Sequence, residues 1–227
     1  MLTDKASSQA LGSYNCSPHA LLGSPNISSA TSSPDLRPII ISGPSGVGKG
    51  TLMQMLIDSN PGQFSATVSH TTRKPRPGEK EGIAYHFVSP VVFSEMITKG
   101  RFIEHTLFSG NHYGTSKDAV ARQKLQGSTA LLDIDVEGVK TIVESGSLDA
   151  RCVFIKPPSL KTLEERLHSR ETETEESMQR RLARAEHELQ YAESSGVYDI
   201  LITNDDLGRA YEELEAFSLT ATDKLDT

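Results

Sequence analysis

The sequence predicts an α/β protein: a P-loop-type parallel sheet flanked by helices, with a small mixed antiparallel insert at one side. Three observations predict it. Short apolar runs alternate with helix-like segments, as strand–helix–strand crossovers require. Those runs are almost continuously hydrophobic, which suits strands covered on both faces. One of them ends in a glycine-rich turn that carries a lysine and opens a helix.

Taken in order, Ile39–Ser42 reads as the first core strand, and Leu52–Ile57 as part of the helix that follows the turn. Gln63–Ser69 is a second extended segment and Ser128–Asp135 a third, with Arg151–Ile155 and Asp199–Thr203 completing the set. Between Thr71 and Gly114 the texture changes: Tyr85–Val88, Phe102–Phe108 and Asn111–Tyr113 are short strands, with Ser109-Gly110 as a hairpin turn. After Pro157-Pro158 a helix is predicted over about 159–170, and a second after Thr172, whose spacing to Glu175 allows a capping box. Met178, Leu182, Ala185, Leu189 and Ala192 recur at steps of four and three, one apolar stripe that reads as core packing.

Composition bounds the class. A chain of 227 residues, 36% hydrophobic and 23% charged, supports one substantial globular domain. A net charge of −7 argues against a general nucleic-acid binder, which would show a basic face. No apolar stretch approaches the ~20 residues that span a bilayer. The two cysteines, Cys16 and Cys152, offer no disulfide framework, and Cys152 sits in an apolar strand as a small hydrophobe. A reducing compartment fits, and a cytoplasmic monomer is expected. Residues 1–36 are rich in serine and proline and read as a mobile tail, because they cannot bury enough apolar surface to offset ordering entropy. The alternative, a transit peptide, would be rich in arginine, and the first arginine is Arg37.

Chemistry concentrates first in Gly43-Pro-Ser45-Gly46-Val47-Gly48-Lys49-Gly50-Thr51. Between strand and helix, such a loop presents a nest of backbone N–H groups to phosphate oxygens. Lys49 adds a mobile charge for the terminal phosphates of a nucleoside triphosphate. The pattern asks for Ser or Thr directly after the lysine as a Mg²⁺ ligand; Gly50 fills that slot, so the loop's direct hold on the metal is in question.

A second cluster is Ser69-His-Thr-Thr-Arg73-Lys-Pro-Arg76-Pro-Gly78. Two arginines three residues apart, stiffened by Pro75 and Pro77, form a fork suited to a doubly charged phosphate. The bland alternative is a solvated basic turn. Asp133 and Asp135 end an apolar strand, where open α/β sheets bind ligands. They point the same way and can hold hydrated Mg²⁺ or an active-site arginine; one of them capping a helix is the alternative.

The ordered set of motifs resembles guanylate kinase. It comprises the phosphate loop, the Ser69–Glu79 segment, Gly82-Ile-Ala-Tyr85-His-Phe87, Phe102-Ile-Glu104, Phe108-Ser-Gly-Asn-His-Tyr113-Gly-Thr115, Leu132-Asp-Ile-Asp135-Val-Glu-Gly138, Arg170–Ser177 and Asn204-Asp-Asp-Leu207. The resemblance spans about residues 37–218. It implies a core of 37–68, 124–158 and 186–218, a GMP-binding insert of 69–123, a helical lid of 159–185 that completes the fold class, and a short tail of 219–227. It further implies ATP and Mg²⁺ as cofactors and GMP, with dGMP, as acceptor.

Under the same resemblance, Arg73, Arg76, Tyr85 and Tyr113 hold the GMP phosphate and Glu104 selects the base. Guanine offers N1–H and an exocyclic NH₂ side by side, which one carboxylate can accept together. Ser69 and Thr115 reach the guanine edge or its O6, and Asp135 approaches the GMP site. Arg170 and Arg181 belong to the lid and, with Lys49 and Arg76, neutralise the migrating phosphoryl group. Asn204 and Asp205 touch adenine. Arg166, Arg180 and Arg184 read as surface ion-pair members on glutamate-rich helices. The competing function is a catalytically inactive guanylate-kinase-like module that grips phosphopeptides in the same cleft.

Overall fold

The computed structural model describes residues 35–108, 110–168 and 175–220. Expectations for the tail up to residue 34, for Thr172 as a cap, for Arg170, for Ser109 in its turn and for residues 221–227 lie outside the described residues. The main sheet contains β1 (Ile39–Ser42), β2 (Phe64–Ala66), β7 (Thr129–Asp133), β8 (Arg151–Lys156) and β9 (Ile200–Thr203). Its five strands run parallel in the order β2-β7-β1-β8-β9. Because β1 lies between β7 and β8, the carboxyl ends of β1 and β7 border the crevice where such sheets bind ligands.

The alternation of side chains explains why these strands are apolar throughout. Ile39 and Ile41 face one core layer with Leu52, Leu56, Leu163 and Leu214, while Ile40 faces the other with Val120, Val139 and Ile142. The first layer packs under α1 (Lys49–Ser59), α5 (Leu160–His168), α6 (Glu175–Ser194) and α7 (Leu207–Leu219). The second packs under α3 (Lys117–Leu125) and α4 (Val136–Ser145). Burial on both faces accounts for the apolar runs of these strands, while Asp133 and Lys156 reach water only at strand ends. The stripe on α6 follows: Met178, Ala185 and Ala192 are buried, and Leu182 and Leu189 pack partly buried against the two layers.

The insert is a second sheet of β3 (His70–Thr71), β4 (His86–Phe87), β5 (Phe102–Phe108) and β6 (Asn111–Ser116), ordered β4-β3-β6-β5. Its β3–β4 pair is parallel and the other pairs antiparallel, so the sheet is mixed. Helix α2 (Pro90–Thr98) anchors it, with Ser89 accepting from Val92 N and Phe93 stacked on Phe102 at 4.5 Å.

Several expected strands change length: Tyr85–Val88 shortens to His86–Phe87, and Asn111–Tyr113 extends to Ser116. The extended segment 63–69 contributes only Phe64–Ala66, because Thr67 turns both its N–H and its hydroxyl onto the Leu131 carbonyl and the chain leaves the sheet edge there. Strand β7 stops at Asp133, since Asp135 becomes the N-cap of α4, accepting from Gly138 N at 2.9 Å. At the opposite end of the sheet, the buried Arg151 donates to the carbonyls of Phe217, Ser218 and Thr220 and satisfies the C-terminus of α7. Among the described residues no helix is long and apolar enough to cross a membrane.

Candidate active site

The phosphate loop is held in shape by close backbone approach. A Cβ on Gly43 (φ 138°) would lie 2.2 Å from the Ile155 carbonyl oxygen, so only glycine lets the loop leave β1 against β8. Gly48 (φ 107°) caps α1 without a side-chain acceptor, and no acidic residue sits in the first turn. The first N–H groups of that helix are thereby left to an incoming anion. From below, Asn204 Nδ2 donates to Val47 O at 2.8 Å, and Arg166 bridges Val47 O and Asn204 O.

Lys49 is gathered over this loop. Its ammonium donates to Gly43 O at 2.7 Å and Pro44 O at 3.3 Å, and lies 3.7 Å from Asp133 Oδ1. Asp133 is half exposed at the end of β7, as the parallel register of Ile41 with Asp133 requires. The lysine is thus centred between the loop and the acidic wall of a cleft of about 620 Å³.

That cleft receives most of the residues singled out from the sequence. Gly43, Ser45, Gly46, Gly48, Gly50 and Thr51 line one end. Ser69, Arg73, Arg76, Tyr85, Glu104 and Tyr113 line the other. Asp133, Asp135 and Arg181 stand between them, with Arg181 Nη1 donating to Ser45 Oγ at 3.3 Å. Val47 does not line the cleft; its side chain is fully buried, and it takes part through its carbonyl.

At the far end, Glu104 is 5% exposed, and its Oε1 accepts the Thr115 N–H at 2.8 Å. Burial pushes its carboxyl up to about 7, against the stabilising hydrogen bonds from Thr115, with the charge of Asp135 adding to the rise. Thr115 is buried behind it, and its hydroxyl shares a 3.2 Å hydrogen bond with Ser69. Arg73 is fixed by two hydrogen bonds to Glu79, at 2.8 and 3.0 Å, and lies over the Tyr85 ring at 5.4 Å. The same Glu79 accepts from Arg76 N at 2.7 Å, so a carboxylate as well as the two prolines organises the arginine fork.

Four placements correct the reading of the sequence. Arg184 is not a surface residue: it lines the cleft, pairs with Asp135 and Glu188 at 2.7 Å each and covers Phe108. Arg166 braces the loop, as described, reaching off its own helix to Val47 O and Asn204 O. The Asn204 side chain is buried against the loop backbone, and Asp205 pairs with Arg209 on α7; neither lines the cleft. Arg180 does behave as expected, paired with Glu176 on an exposed face. Besides Arg184, the cleft residues missed from sequence include Thr106, Phe108, Gly114, Ile134 and Glu188. A strand alternation running from Glu104 through Thr106 to Phe108 was the signal that pointed to two of them.

Among the described residues no group of three or more His, Cys, Asp or Glu side chains is placed to cage a metal. The cleft's donors, the half-exposed Asp133 carboxylate and the Thr51 hydroxyl, suit a cation that brings phosphate and water ligands with it.

The sequence profile of the guanylate kinase family matches residues 35–220. The guanylate kinase of Schizosaccharomyces pombe is 45% identical over 185 residues, covering 82% of this chain and 91% of that protein. The guanylate kinase of Homo sapiens is 47% identical over 181 residues, covering 79% and 90%. Among solved structures, guanylate kinase from Anaplasma phagocytophilum superposes with a TM-score of 0.63 at 27% identity, covering 82% of this chain and 87% of that one.

Proposed function

The chain belongs to the guanylate kinase family and transfers the γ-phosphoryl group of ATP to GMP, and we infer from the cleft how its own residues carry that reaction. An inactive phosphopeptide-binding module is not favoured: the phosphate loop is intact, and its Lys49 stands in the cleft with Arg181. The observation that carries the reading is one cleft with two differently built ends, a phosphate nest under Lys49 and a buried carboxylate at Glu104.

ATP places its phosphates on the α1 N-terminus and the loop, where Lys49 exchanges the carbonyls of Gly43 and Pro44 for phosphate oxygens. GMP enters from the insert. Its phosphate is taken by Arg73, Arg76, Tyr85 and Tyr113, two guanidiniums for charge and two phenols that add donors without adding more charge. Its base reaches Glu104, whose carboxylate accepts N1–H and the exocyclic NH₂, while Ser69 and Thr115 offer hydroxyls to the edge. Adenine lacks that donor pair and would leave the buried carboxylate unmatched, a loss of about 1–3 kcal/mol or more. We extend the acceptor to dGMP, because the reading places no contact on the 2′-hydroxyl.

The two ends then hold donor and acceptor phosphates in line. Mg²⁺, carried in by ATP, supplies charge neutralisation at the phosphates, with Asp133 and Thr51 placed to bind its water shell. Arg181 and, outside the described residues, Arg170 complete the cationic cage from the lid. No general base is needed, since the attacking phosphate oxygen is already ionised near neutral pH. Catalysis comes from positioning and electrostatics. We further place the enzyme in the cytoplasm as a monomer, acting on small nucleotides and not on nucleic acid or membrane, with residues 37–68, 124–158 and 186–218 as core, 69–123 as acceptor insert and 159–185 as lid. Equal formation of ADP and GDP from Mg-ATP and GMP, absent without GMP, tests the reading; ADP release independent of GMP contradicts it.

A further inference from the structure

We propose that Arg184 is a positioning residue of the acceptor site, which fixes Asp135 beside Glu104 and joins helix α6 to the guanine pocket. The inference rests on GMP being the acceptor. Arg184 leaves α6 and meets three groups. Its Nη2 donates to Asp135 Oδ2 at 2.7 Å, its Nε donates to Glu188 Oε1 at 2.7 Å, and its Cζ lies 4.7 Å from the centre of the Phe108 ring. Phe108 belongs to β5, the strand that carries Glu104. One guanidinium therefore ties α6, the N-terminus of α4 and the acceptor insert together.

A surface ion pair would not look like this. Arg180 and Glu176, one turn earlier on the same helix, pair at 3.5 Å with side chains 72% and 80% exposed. The Arg184 side chain is 30% exposed and Glu188 only 10%. A carboxylate so enclosed needs a partner that stays, and a planar guanidinium presents donors to two carboxylates in fixed directions.

Asp135 gives the pairing its consequence. Its Oδ1 is committed to Gly138 N as the α4 cap, so the direction of Oδ2 is set by Arg184 alone among the described contacts. The charged and titratable groups around this point are Glu104 from β5, Asp133 from the end of β7, Asp135 at the N-cap of α4, Lys49 from α1, Arg181, Arg184 and Glu188 from α6, and Arg73, Arg76, Tyr85 and Tyr113 from the insert. Arg184 places its positive charge directly against Asp135, the carboxylate whose charge helps to raise Glu104. Loss of Arg184 therefore weakens the grip on guanine while leaving the phosphate loop intact.

The test measures KM for GMP and for ATP separately, with melting temperature, in Arg184→Met, Arg184→Lys, Asp135→Asn and the double variant Arg184→Met/Asp135→Asn. The expected result is a KM for GMP raised roughly tenfold by Arg184→Met, a change worth about 1.4 kcal/mol, with KM for ATP within about twofold. Arg184→Lys recovers part of the loss. The double variant is no worse than the poorer single one, since both substitutions break one interaction. Additive losses, or a rise in KM for ATP instead, overturn the proposal. Should Arg184→Met fail to fold, Arg184→Lys with Asp135→Asn forms the same cycle and is read the same way. An unchanged KM for GMP in folded Arg184→Met, with normal wild-type turnover, sinks this inference alone; a wild-type protein inert toward GMP sinks the functional reading and this inference with it.

Discussion

A Cβ on Gly138 would lie 2.8 Å from Oε2 of Glu104, and 2.5 Å from Cγ2 of Ile134. Gly138 sits inside helix α4 and is absent from the positive-φ glycines, so it is needed for room and not for backbone freedom. The helix N-terminus can pack against the Glu104 carboxylate only because this position has no side chain. Gly138→Ala should raise KM for GMP several-fold through displacement of Glu104 and cost about 1–3 kcal/mol of stability from overpacking. Steady-state kinetics with each substrate varied check it, and KM for ATP should stay near the wild-type value.

Glu104 also makes the protein sensitive to pH. Its carboxyl is raised from an ordinary 4.5 to about 7, so between those values the folded protein keeps a proton that the unfolded chain has released. Stability without nucleotide therefore falls as pH rises from about 4.5 to about 7 and levels off above, by on the order of 3 kcal/mol at most. Guanine needs the charged form, so apparent GMP affinity should rise over the upper part of that window. Glu104→Gln should flatten both trends, as read by melting temperature from about pH 4.5 to 8 and by kcat/KM for GMP from about pH 6 to 8. A Gln variant that keeps the wild-type slope would assign the titration to another group.

Lys49 bridges the loop carbonyls and Asp133. Lys49→Met should abolish turnover, a loss of at least about 1,000-fold, while the circular dichroism spectrum and melting temperature stay close to wild type. Turnover near the wild-type rate would remove the loop from the mechanism.

Asn204 makes a different prediction from the one its sequence context suggests. Its amide is buried and donates to Val47 O at 2.8 Å, so Asn204→Ala should loosen the phosphate loop and cost about 1–3 kcal/mol of stability. Calorimetry measures the stability loss, and KM for ATP should rise more than KM for GMP.

These residues show how far the sequence could be read. The parallel core strands were legible because burial on both faces writes itself as unbroken apolar runs, and Ile39 to Ile41 carry that signal. The cleft's two ends were legible because a phosphate nest and a paired-arginine segment are local in sequence. Arg184 was not. Its spacing to Glu188 is that of any surface i,i+4 pair, and its second partner, Asp135, lies 49 positions away. Asn204 misled for the same reason, since its partner Val47 is 157 positions distant. Strand β3 was missed because two residues carry no periodicity. Glu79 was visible in the motif, yet only the fold shows it holding Arg73 and the Arg76 backbone together.

The central claim is that a buried carboxylate selects guanine, and it is tested most directly by kcat/KM with ATP against GMP, AMP, CMP and UMP, for the wild type and Glu104→Ala. The wild type should prefer GMP over each other monophosphate by at least about 100-fold, and the variant should lose most of that preference while binding ATP normally. Comparable use of AMP by the wild type, or an undiminished preference for GMP in the variant, would contradict the account.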